Sequence, residues 1–281
     1  MKKGLTSVMC ASALLGATSF AFAGAYGEAE QPEEMPAPAP APAAAYVEPE
    51  SDVRIMRQFK NFATDAETSR GLWAELSSMY IDYGSDLIGV STLGTIAYGQ
   101  EMFEVGVQLP YEYLDLDGGP SDDGLGDLDF YGKVIPLRTD EFSLGGGLVV
   151  HAPTGDDPAF SIDEWGFNPF ITGALAVGEA SLRATVGYDV YQDVDVLDAV
   201  TYNFAGLVPV AENVVLRGEL DCAHATERNF DEDPVRFLPG VDVYFPLGGF
   251  DLILRPTGTV GINDAEDWGI GLGIALAQSA S

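Results

Sequence analysis

Beyond residue 70, apolar residues recur at every second position, in runs that glycine, aspartate and proline interrupt. The last run shows the pattern clearly, because Trp268, Ile270, Leu272, Ile274 and Leu276 alternate with glycine and alanine. Successive side chains of a β-strand point to opposite faces of a sheet, so a period of two indicates strands rather than helices. With 47% apolar residues and 33 glycines in the chain, the pattern predicts a folded all-β domain.

Several of these runs place charged residues on the face opposite the apolar one. In one run, the apolar residues from Phe103 to Leu109 alternate with Glu104 and Gln108. Two kinds of structure have such faces: a soluble sheet whose apolar face lies in the core, and a membrane barrel whose apolar face meets lipid. The lengths of the connections between the runs distinguish the two.

Twelve strands are predicted, near residues 71–82, 87–98, 101–113, 126–136, 141–151, 165–177, 180–190, 198–208, 212–222, 235–245, 250–260 and 267–277. After the first hairpin, short turns alternate with longer loops at 114–125, 152–164, 191–197, 223–234 and 261–266. Outer-membrane barrels have short periplasmic turns and long external loops, whereas a β-sandwich has no reason to keep its long loops at one end. The sequence therefore favours a transmembrane antiparallel β-barrel of about twelve strands over residues 71–278, with the long loops outside the cell.

The first 50 residues differ in composition from this domain. Met1-Lys2-Lys3 precedes an apolar stretch, and Ala21-Phe22-Ala23 has the small–x–small pattern of a signal-peptidase site. Residues 1–23 are therefore predicted to be a signal peptide for export. Residues 24–50 are rich in proline, alanine and glutamate, which predicts a disordered or extended periplasmic linker.

Residues 51–70 form a short basic segment between the linker and the first strand. Ile55, Phe59 and Phe62 recur at helical spacing, and Asp52 stands where a helix could be capped, so a short amphipathic helix is predicted. Three roles are open to it: it could lie at a membrane surface, plug a pore, or pack under the main domain. Packing under the domain is the favoured interpretation.

The polar faces of the strands supply the candidate functional residues. If the apolar faces meet lipid, the polar faces line the interior of the barrel. The lumen-lining candidates are Glu104, Gln108, Glu112, Asp129, Lys133, Arg183, Asp189, Arg217, Glu219, Asp221, Asp242 and Arg255. They fit an eyelet that selects solutes by charge, and they fit equally the polar core of a plugged barrel, because twelve strands lie between the filled and the open sizes.

Other chemistry has little support in the sequence. The net charge of −31 repels nucleic-acid phosphates, which argues against nucleic-acid binding. Beyond the predicted signal peptide, Cys222 is the only cysteine that could offer a thiolate to a metal. His151 and His224 fall at predicted rim positions, but there is no G-x-S-x-G motif, and Ser161 is an undistinguished nucleophile. The acidic pairs at 122–123 and 156–157 lack the spacing of a calcium loop. We therefore expect no catalytic residues, no metal and no cofactor.

Three segments resemble a known family. Residues 124–133 read G-x-G-D-x-x-x-x-x-K, residues 151–156 end a strand in Pro-Thr-Gly-Asp, and residues 268–273 read Trp-Gly-Ile-Gly-Leu-Gly. These segments resemble those of a bacterial outer-membrane β-barrel family, the transporter-like proteins of the phenol-degradation meta-pathway. The resemblance implies a barrel that moves small, often hydrophobic compounds. It carries over no binding residues.

The sequence thus predicts a porin-like channel for small solutes in the outer membrane. Its expected partners are outer-membrane lipid, lipopolysaccharide, the barrel-assembly machinery and the solutes themselves. The alternative is a non-conducting structural or surface-interaction barrel whose lumen is closed by ion pairs. Because the external loops are strongly acidic, a conducting pore is expected to favour cations and neutral molecules.

Overall fold

The computed structural model describes residues 55–59, 62–84, 87–116, 121–156, 160–192, 198–225, 234–263 and 265–279. The predicted signal peptide, residues 1–23, and the predicted linker, residues 24–50, lie outside the described residues. Strands account for most of the described chain. No helix in the described ranges is long and apolar enough to cross a membrane.

The strands are β1 (Gly71–Asp82), β2 (Leu87–Gly99), β3 (Phe103–Leu116), β4 (Ser121–Leu125), β5 (Leu128–Arg138), β6 (Phe142–Ala152), β7 (Gly166–Val177), β8 (Ala180–Tyr191), β9 (Ala199–Ala211), β10 (Val214–Ala225), β11 (Val235–Pro246), β12 (Phe250–Asn263) and β13 (Trp268–Gln278). Twelve of the strands lie close to their predicted positions, whereas β4 falls within the segment 114–125 that was predicted to be a loop. The period of two located them because it follows directly from the alternating geometry of the strand.

The strands form a closed antiparallel barrel. Each strand pairs with its neighbours in sequence, except that β4 and β5 do not pair with each other, and β1 pairs with both β2 and β13, which closes the sheet. Both β4 and β5 pair with β3, so together they make one interrupted wall of a twelve-stranded barrel. The predicted fold class is therefore confirmed.

The interruption between β4 and β5 has a specific cause. The carboxylate of Asp127 accepts hydrogen bonds from the backbone N–H groups of Thr154, Gly155 and Ile162 and from the Ser161 hydroxyl, at 2.7–3.0 Å. Asp127 therefore organises the loop that follows β6. Gly126 and Asp127 lie at the break between β4 and β5, and a Cβ atom on Gly126 would lie only 3.2 Å from the carbonyl oxygen of Phe160 in that loop.

The outer face of the barrel is apolar. Along β13, large apolar side chains are exposed at every second position, and Ile270 reaches 63% exposure. Exposed apolar area costs about 25 cal/mol per Å² in water. A continuous apolar exterior around a closed barrel is the surface that a lipid environment accommodates.

The predicted amphipathic helix is wrong for the described residues of 51–70. Residues 55–59 and 62–70 are irregular apart from a turn at 62–64, and they lie inside the barrel. Several of their backbone groups bond to side chains of the wall; for example, Phe59 N donates to Glu219, and Lys133 donates to the carbonyl of Asp65. Of the three roles left open by the sequence, the structure shows the one that fills the lumen.

Candidate functional site

The inserted segment, of which the structure describes residues 55–59 and 62–69, is called the plug below, and it enters and leaves the barrel at the same end. The Tyr244 hydroxyl, near the end of β11, donates to the carbonyl of Ile55 at 3.2 Å. The Thr68 hydroxyl donates at 3.4 Å to the carbonyl of Glu101, in the short turn between β2 and β3. Between these points the plug reaches Glu219 of β10 with its Phe59 N–H group. It is therefore a re-entrant loop inserted from the short-turn end.

Arg57 is the most extensively bonded residue of the plug. Its guanidinium makes two parallel hydrogen bonds of 2.8 Å to the carboxylate of Glu104 on β3. Glu104 also lies 3.1 Å from Lys133 Nζ and accepts a 3.1 Å hydrogen bond from the Tyr131 hydroxyl. The guanidinium stacks on Phe62 of the plug, with its central carbon 3.7 Å from the ring centre. A forked, fully buried contact of this kind fixes both position and orientation.

Asp65 makes the second attachment. Its carboxylate receives Arg183 NH1 of β8 at 2.5 Å and the backbone N–H groups of Gln58 and Glu67 at 2.8 and 3.0 Å. Burial by itself raises the pKa of the Asp65 carboxyl, but the guanidinium groups of Arg183 and Arg57 outweigh it and hold that pKa below its ordinary value. Asp65 therefore ties the two limbs of the plug to each other and to the wall.

A third attachment runs along β10, β11 and β12. Glu219 accepts hydrogen bonds from Phe59 N at 2.6 Å and from Arg217 NH1 at 2.7 Å. Arg217 and Arg255 both donate to Asp242, at 3.1 and 3.2 Å. Arg255 also donates to the carbonyl of Arg57 at 2.6 Å. The wall thus supplies cations to plug carbonyls and an anion to a plug N–H group.

The charges at the level of the plug are balanced among the described residues. Apart from the half-buried pair of Glu67 and Arg138, the bases are Arg57, Lys133, Arg183, Arg217 and Arg255, and the acids are Asp65, Glu75, Glu104, Glu219 and Asp242. All ten are buried. Buried ions of one sign must be offset by the other because desolvation costs several kcal/mol per ion.

The interior nearer the long loops has a different balance, and we call it the external chamber. His151 lies between Asp129, at 2.5 Å, and Asp189, at 3.4 Å, and its ring stacks on Tyr191. Arg236 lies 3.8 Å from Asp221 and 3.5 Å from Glu266. With Glu112, whose carboxylate accepts from Ser91, the described acids of the external chamber outnumber its basic side chains.

The structure divides the twelve candidate residues between these two regions. Seven lie at the level of the plug: Glu104, Lys133, Arg183, Arg217, Glu219, Asp242 and Arg255. Gln108 donates to Thr95 at 3.2 Å. The other four, Glu112, Asp129, Asp189 and Asp221, belong to the external chamber, where Glu112 and Asp129 are only half-buried.

Sequence reasoning missed several residues of the interior. Glu75 and Arg236 occupy inward positions of β1 and β11, so the period of two could have found both. Arg57 and Asp65 belong to the irregular plug, where no periodic signal exists. Their contacts depend on residues far away in the chain, with separations of 47 and 118 positions.

The residues weighed for catalysis and metal binding are dispersed. Ser161 donates to Asp127, His151 faces the external chamber, and His224 is exposed on the alternate face of β10. These contacts do not pair a serine hydroxyl with an imidazole. No group of three His, Cys, Asp or Glu residues in the described ranges is arranged to hold a metal ion.

A closed antiparallel barrel with an apolar exterior and a polar interior is the architecture of bacterial outer-membrane β-barrels. Solved structures with this fold include an outer membrane channel from Pseudomonas putida F1, with a TM-score of 0.57 and 14% identity over 78% of this chain and 99% of that one. The KdgM porin gives a TM-score of 0.51 and 10% identity over 73% of this chain and 98% of that one. At these identities the likeness establishes the outer-membrane barrel fold alone.

Comparison by sequence adds no further assignment. No family model matches the chain, and no curated protein matches it. The coarser part of the resemblance seen in the sequence, an outer-membrane β-barrel, therefore stands, while the phenol-degradation family is not established.

Proposed function

We propose that this protein is a passive channel for small solutes in the outer membrane, closed by its own plug and open when the plug leaves the lumen. The observation that carries the proposal is the course of the plug. Because it enters and leaves at one end, its withdrawal requires no threading through the barrel. Its polar attachments are ion pairs and hydrogen bonds, which can exchange for water once the segment moves.

The size of the barrel supports this proposal. Eight-stranded barrels are filled by their own side chains, whereas barrels of 16–18 strands leave an aqueous channel. A twelve-stranded barrel is wider than the first class, and here a stretch of main chain fills its interior. Withdrawal of the plug would leave a passage lined by the polar wall residues that now hold it. The two similar solved structures are described as a channel and a porin, which agrees with this role.

The nature of the solutes belongs to the same proposal. The surplus of acids in the external chamber, and the exposed Asp122, Asp123, Asp156 and Asp163 at the long loops, would attract cations and admit neutral molecules. Because three segments resemble those of the phenol-degradation family, we include small hydrophobic or aromatic compounds among the proposed solutes. We propose no catalytic role, and the expected partners remain membrane lipid, lipopolysaccharide and the barrel-assembly machinery.

Single-channel conductance in planar bilayers tests the proposal. The mature chain is expected to show rare or small openings, and a variant that lacks residues 24–69 is expected to conduct steadily. A variant that lacks only residues 24–50 is the matched control, because it keeps the whole plug, and it is expected to remain closed. Folding of each variant is checked by heat-modifiable migration on a gel.

A folded barrel that lacks residues 24–69 and still fails to conduct would contradict the proposal. That outcome would favour the alternative, a non-conducting structural or surface-interaction barrel. One observation favours this alternative: the charges at the level of the plug balance within the closed lumen. Such compensation is what a permanent polar core requires.

A further inference from the structure

The outer face of the barrel has a groove near the short-turn end, across β3, β5 and β6. Its volume is about 220 Å³, and the exposed side chains of Phe103, Val105 and Val134 border it. Two glycines stand beside them at outward positions: Gly132 lies opposite Val105, and Gly146 lies opposite Val134. The groove exists because these two positions carry no side chain on a surface that is otherwise built from large apolar residues.

The floor of the groove is main chain. Glu104, Lys133 and Gly147 also border it, but successive residues of a strand point to opposite sides of the sheet. The charged groups of Glu104 and Lys133 therefore lie inside the barrel, where they are 3.1 Å apart and Glu104 holds Arg57 of the plug. None of these charges faces the groove, so its surface is apolar.

The wall is irregular at one edge of the groove. The pairing of β5 with β6 shifts its register between Val134 and Leu137. Pro136 lies within this shift and has no N–H group to donate to a neighbouring strand. Fewer hydrogen bonds join the two strands here than in a regular ladder, and packing from the outside would support the wall.

An apolar groove on the exterior of a membrane barrel is suited to hydrocarbon. It continues the apolar outer face, which a lipid environment accommodates. An apolar cavity of about 150 Å³ can hold a benzene molecule, so a groove of about 220 Å³ has room for a segment of one acyl chain.

The charges at the adjacent rim of the barrel favour one kind of headgroup. The short turns beside the groove carry the exposed acids Glu101, Asp140 and Glu141. Arg138, at the end of β5, is paired with Glu67 of the plug at 3.1 Å. A rim of this charge attracts an ammonium group and repels an anionic headgroup.

We propose that the groove binds one acyl chain of a phospholipid whose headgroup carries an amine, such as phosphatidylethanolamine. The chain fills the space that the two glycines leave, and the headgroup lies at the acidic rim. The bound lipid supports the part of the wall that holds the plug on its inner side. This inference concerns the outer face of the barrel and does not depend on conduction.

Native mass spectrometry of the mature protein tests the choice of lipid. Delipidated protein in detergent is supplied with equal amounts of phosphatidylethanolamine and phosphatidylglycerol that have the same acyl chains. One phosphatidylethanolamine is expected to stay bound to each protein, a fewfold more often than phosphatidylglycerol. No retained lipid, or a preference for phosphatidylglycerol or lipopolysaccharide, would overturn the proposal. A dimer formed through this face would overturn it as well, because a second copy would then occupy the groove.

Gly132→Leu tests the place of binding, because it fills the groove. A Cβ atom at this position would lie 3.8 Å from Val105 Cγ1, which is an ordinary contact, so the strand has room for the new side chain. The bound fraction is expected to fall about tenfold, which corresponds to about 1.4 kcal/mol. Gly206→Leu is the matched control, since it lies at an outward position of β9 and its Cβ atom would lie 3.8 Å from Leu182.

The control variant is expected to retain the lipid, and equal retention by the two variants would overturn the proposal. Heat-modifiable migration on a gel checks that both are folded. A direct measurement needs no variant: crystals of the unmodified protein grown with phosphatidylethanolamine that has brominated acyl chains are expected to show an anomalous peak between Phe103 and Gly146. The absence of a peak in the groove would contradict the proposal whatever the stability of the variants.

Discussion

The level of the plug and the external chamber are lined by the same strands, but the two regions differ in their balance of acidic and basic side chains. At the level of the plug, five described bases face five acids, and all are buried. In the external chamber, the described acids are Glu112, Asp129, Asp189, Asp221 and Glu266, and the described bases are His151 and Arg236. Where the chain itself fills the lumen, water is excluded and charges must be compensated locally. Nearer the long loops, Asp189, Asp221 and Glu266 are also buried, but Glu112 and Asp129 are half-buried and keep access to solvent, so an excess of one sign costs less there.

The strongest test of this comparison removes a charge at the level of the plug. Arg57→Ala leaves Glu104 without its forked partner, and breaking a buried ion pair costs about 3 kcal/mol or more. The plug should therefore leave the lumen about 100-fold more often. Ala66 lies in the plug at 0% exposure, so Ala66→Cys reacts with a maleimide only after the plug moves. The measurement is the rate of this reaction in the Cys222→Ser background.

The matched control is Arg70→Ala, which removes a half-buried arginine just outside the plug. Its labelling rate is expected to stay close to that of the parent. If Arg57→Ala and Arg70→Ala label equally fast, the forked contact between Arg57 and Glu104 does not hold the plug in the lumen. Charge compensation would then matter less at the level of the plug than the distances between Arg57 and Glu104 imply.

Acid should weaken the plug through Asp65. Because the pKa of Asp65 in the docked plug lies below the ordinary value of 3.8, the carboxylate stabilises docking above that value. This contribution is lost as the pH falls through the lowered pKa. Trp73 reports the change, since it is 1% exposed and its ring lies 5.2 Å from that of Phe62 in the plug. With Trp165 and Trp268 replaced by phenylalanine, acrylamide quenching of Trp73 should rise steeply on acidification.

Asp65→Asn provides the comparison for this titration. It keeps the size of the side chain and removes its charge, so quenching should be higher than in the parent at neutral pH and should change less on acidification. An identical acid profile in both proteins would assign the transition to other carboxylates.

The smallest expected effect concerns the external chamber. If the open barrel conducts, Asp129→Asn with Asp221→Asn should reduce the cation-to-anion permeability ratio a fewfold, since the field of the remaining loop acids persists. Raising the salt should shrink this difference, because the Debye length falls from about 8 Å at physiological ionic strength to about 3 Å at 1 M. Reversal potentials in a potassium chloride gradient measure the ratio. Glu179→Gln, in the exposed short turn at the opposite end, is the control and should leave the ratio unchanged.

The wall of the barrel could be predicted because its signal is local. Alternation along β13, with apolar residues from Trp268 to Leu276 on one face, follows from strand geometry alone. The same rule assigned Glu104, Lys133, Arg217 and Arg255 to the polar face. The rule applies equally to Glu75 and Arg236, which occupy inward positions of β1 and β11. One-sided long loops then separated a barrel from a sandwich.

The plug could not be predicted in the same way. The spacing of Ile55, Phe59 and Phe62 is compatible with a helix, but two of these residues pack on different patches of the wall: Phe59 against Met79 and Ile81, and Phe62 against Trp73. The wall also takes the backbone groups that a helix would bond internally. Tertiary contacts override a weak local preference when the segment is short.

The sequence by itself determined the strands, the side of each strand that is polar, and the class of barrel, because these depend on neighbours one or two positions away. Only the tertiary structure decided which charges meet. Arg57 reaches Glu104, and Asp65 reaches Arg183, because closure of the barrel and the register of its strands bring distant residues to one level of the lumen. Which charged side chains pair over such long separations in sequence depends on the closed sheet. The periodicity within a single strand cannot predict these pairs.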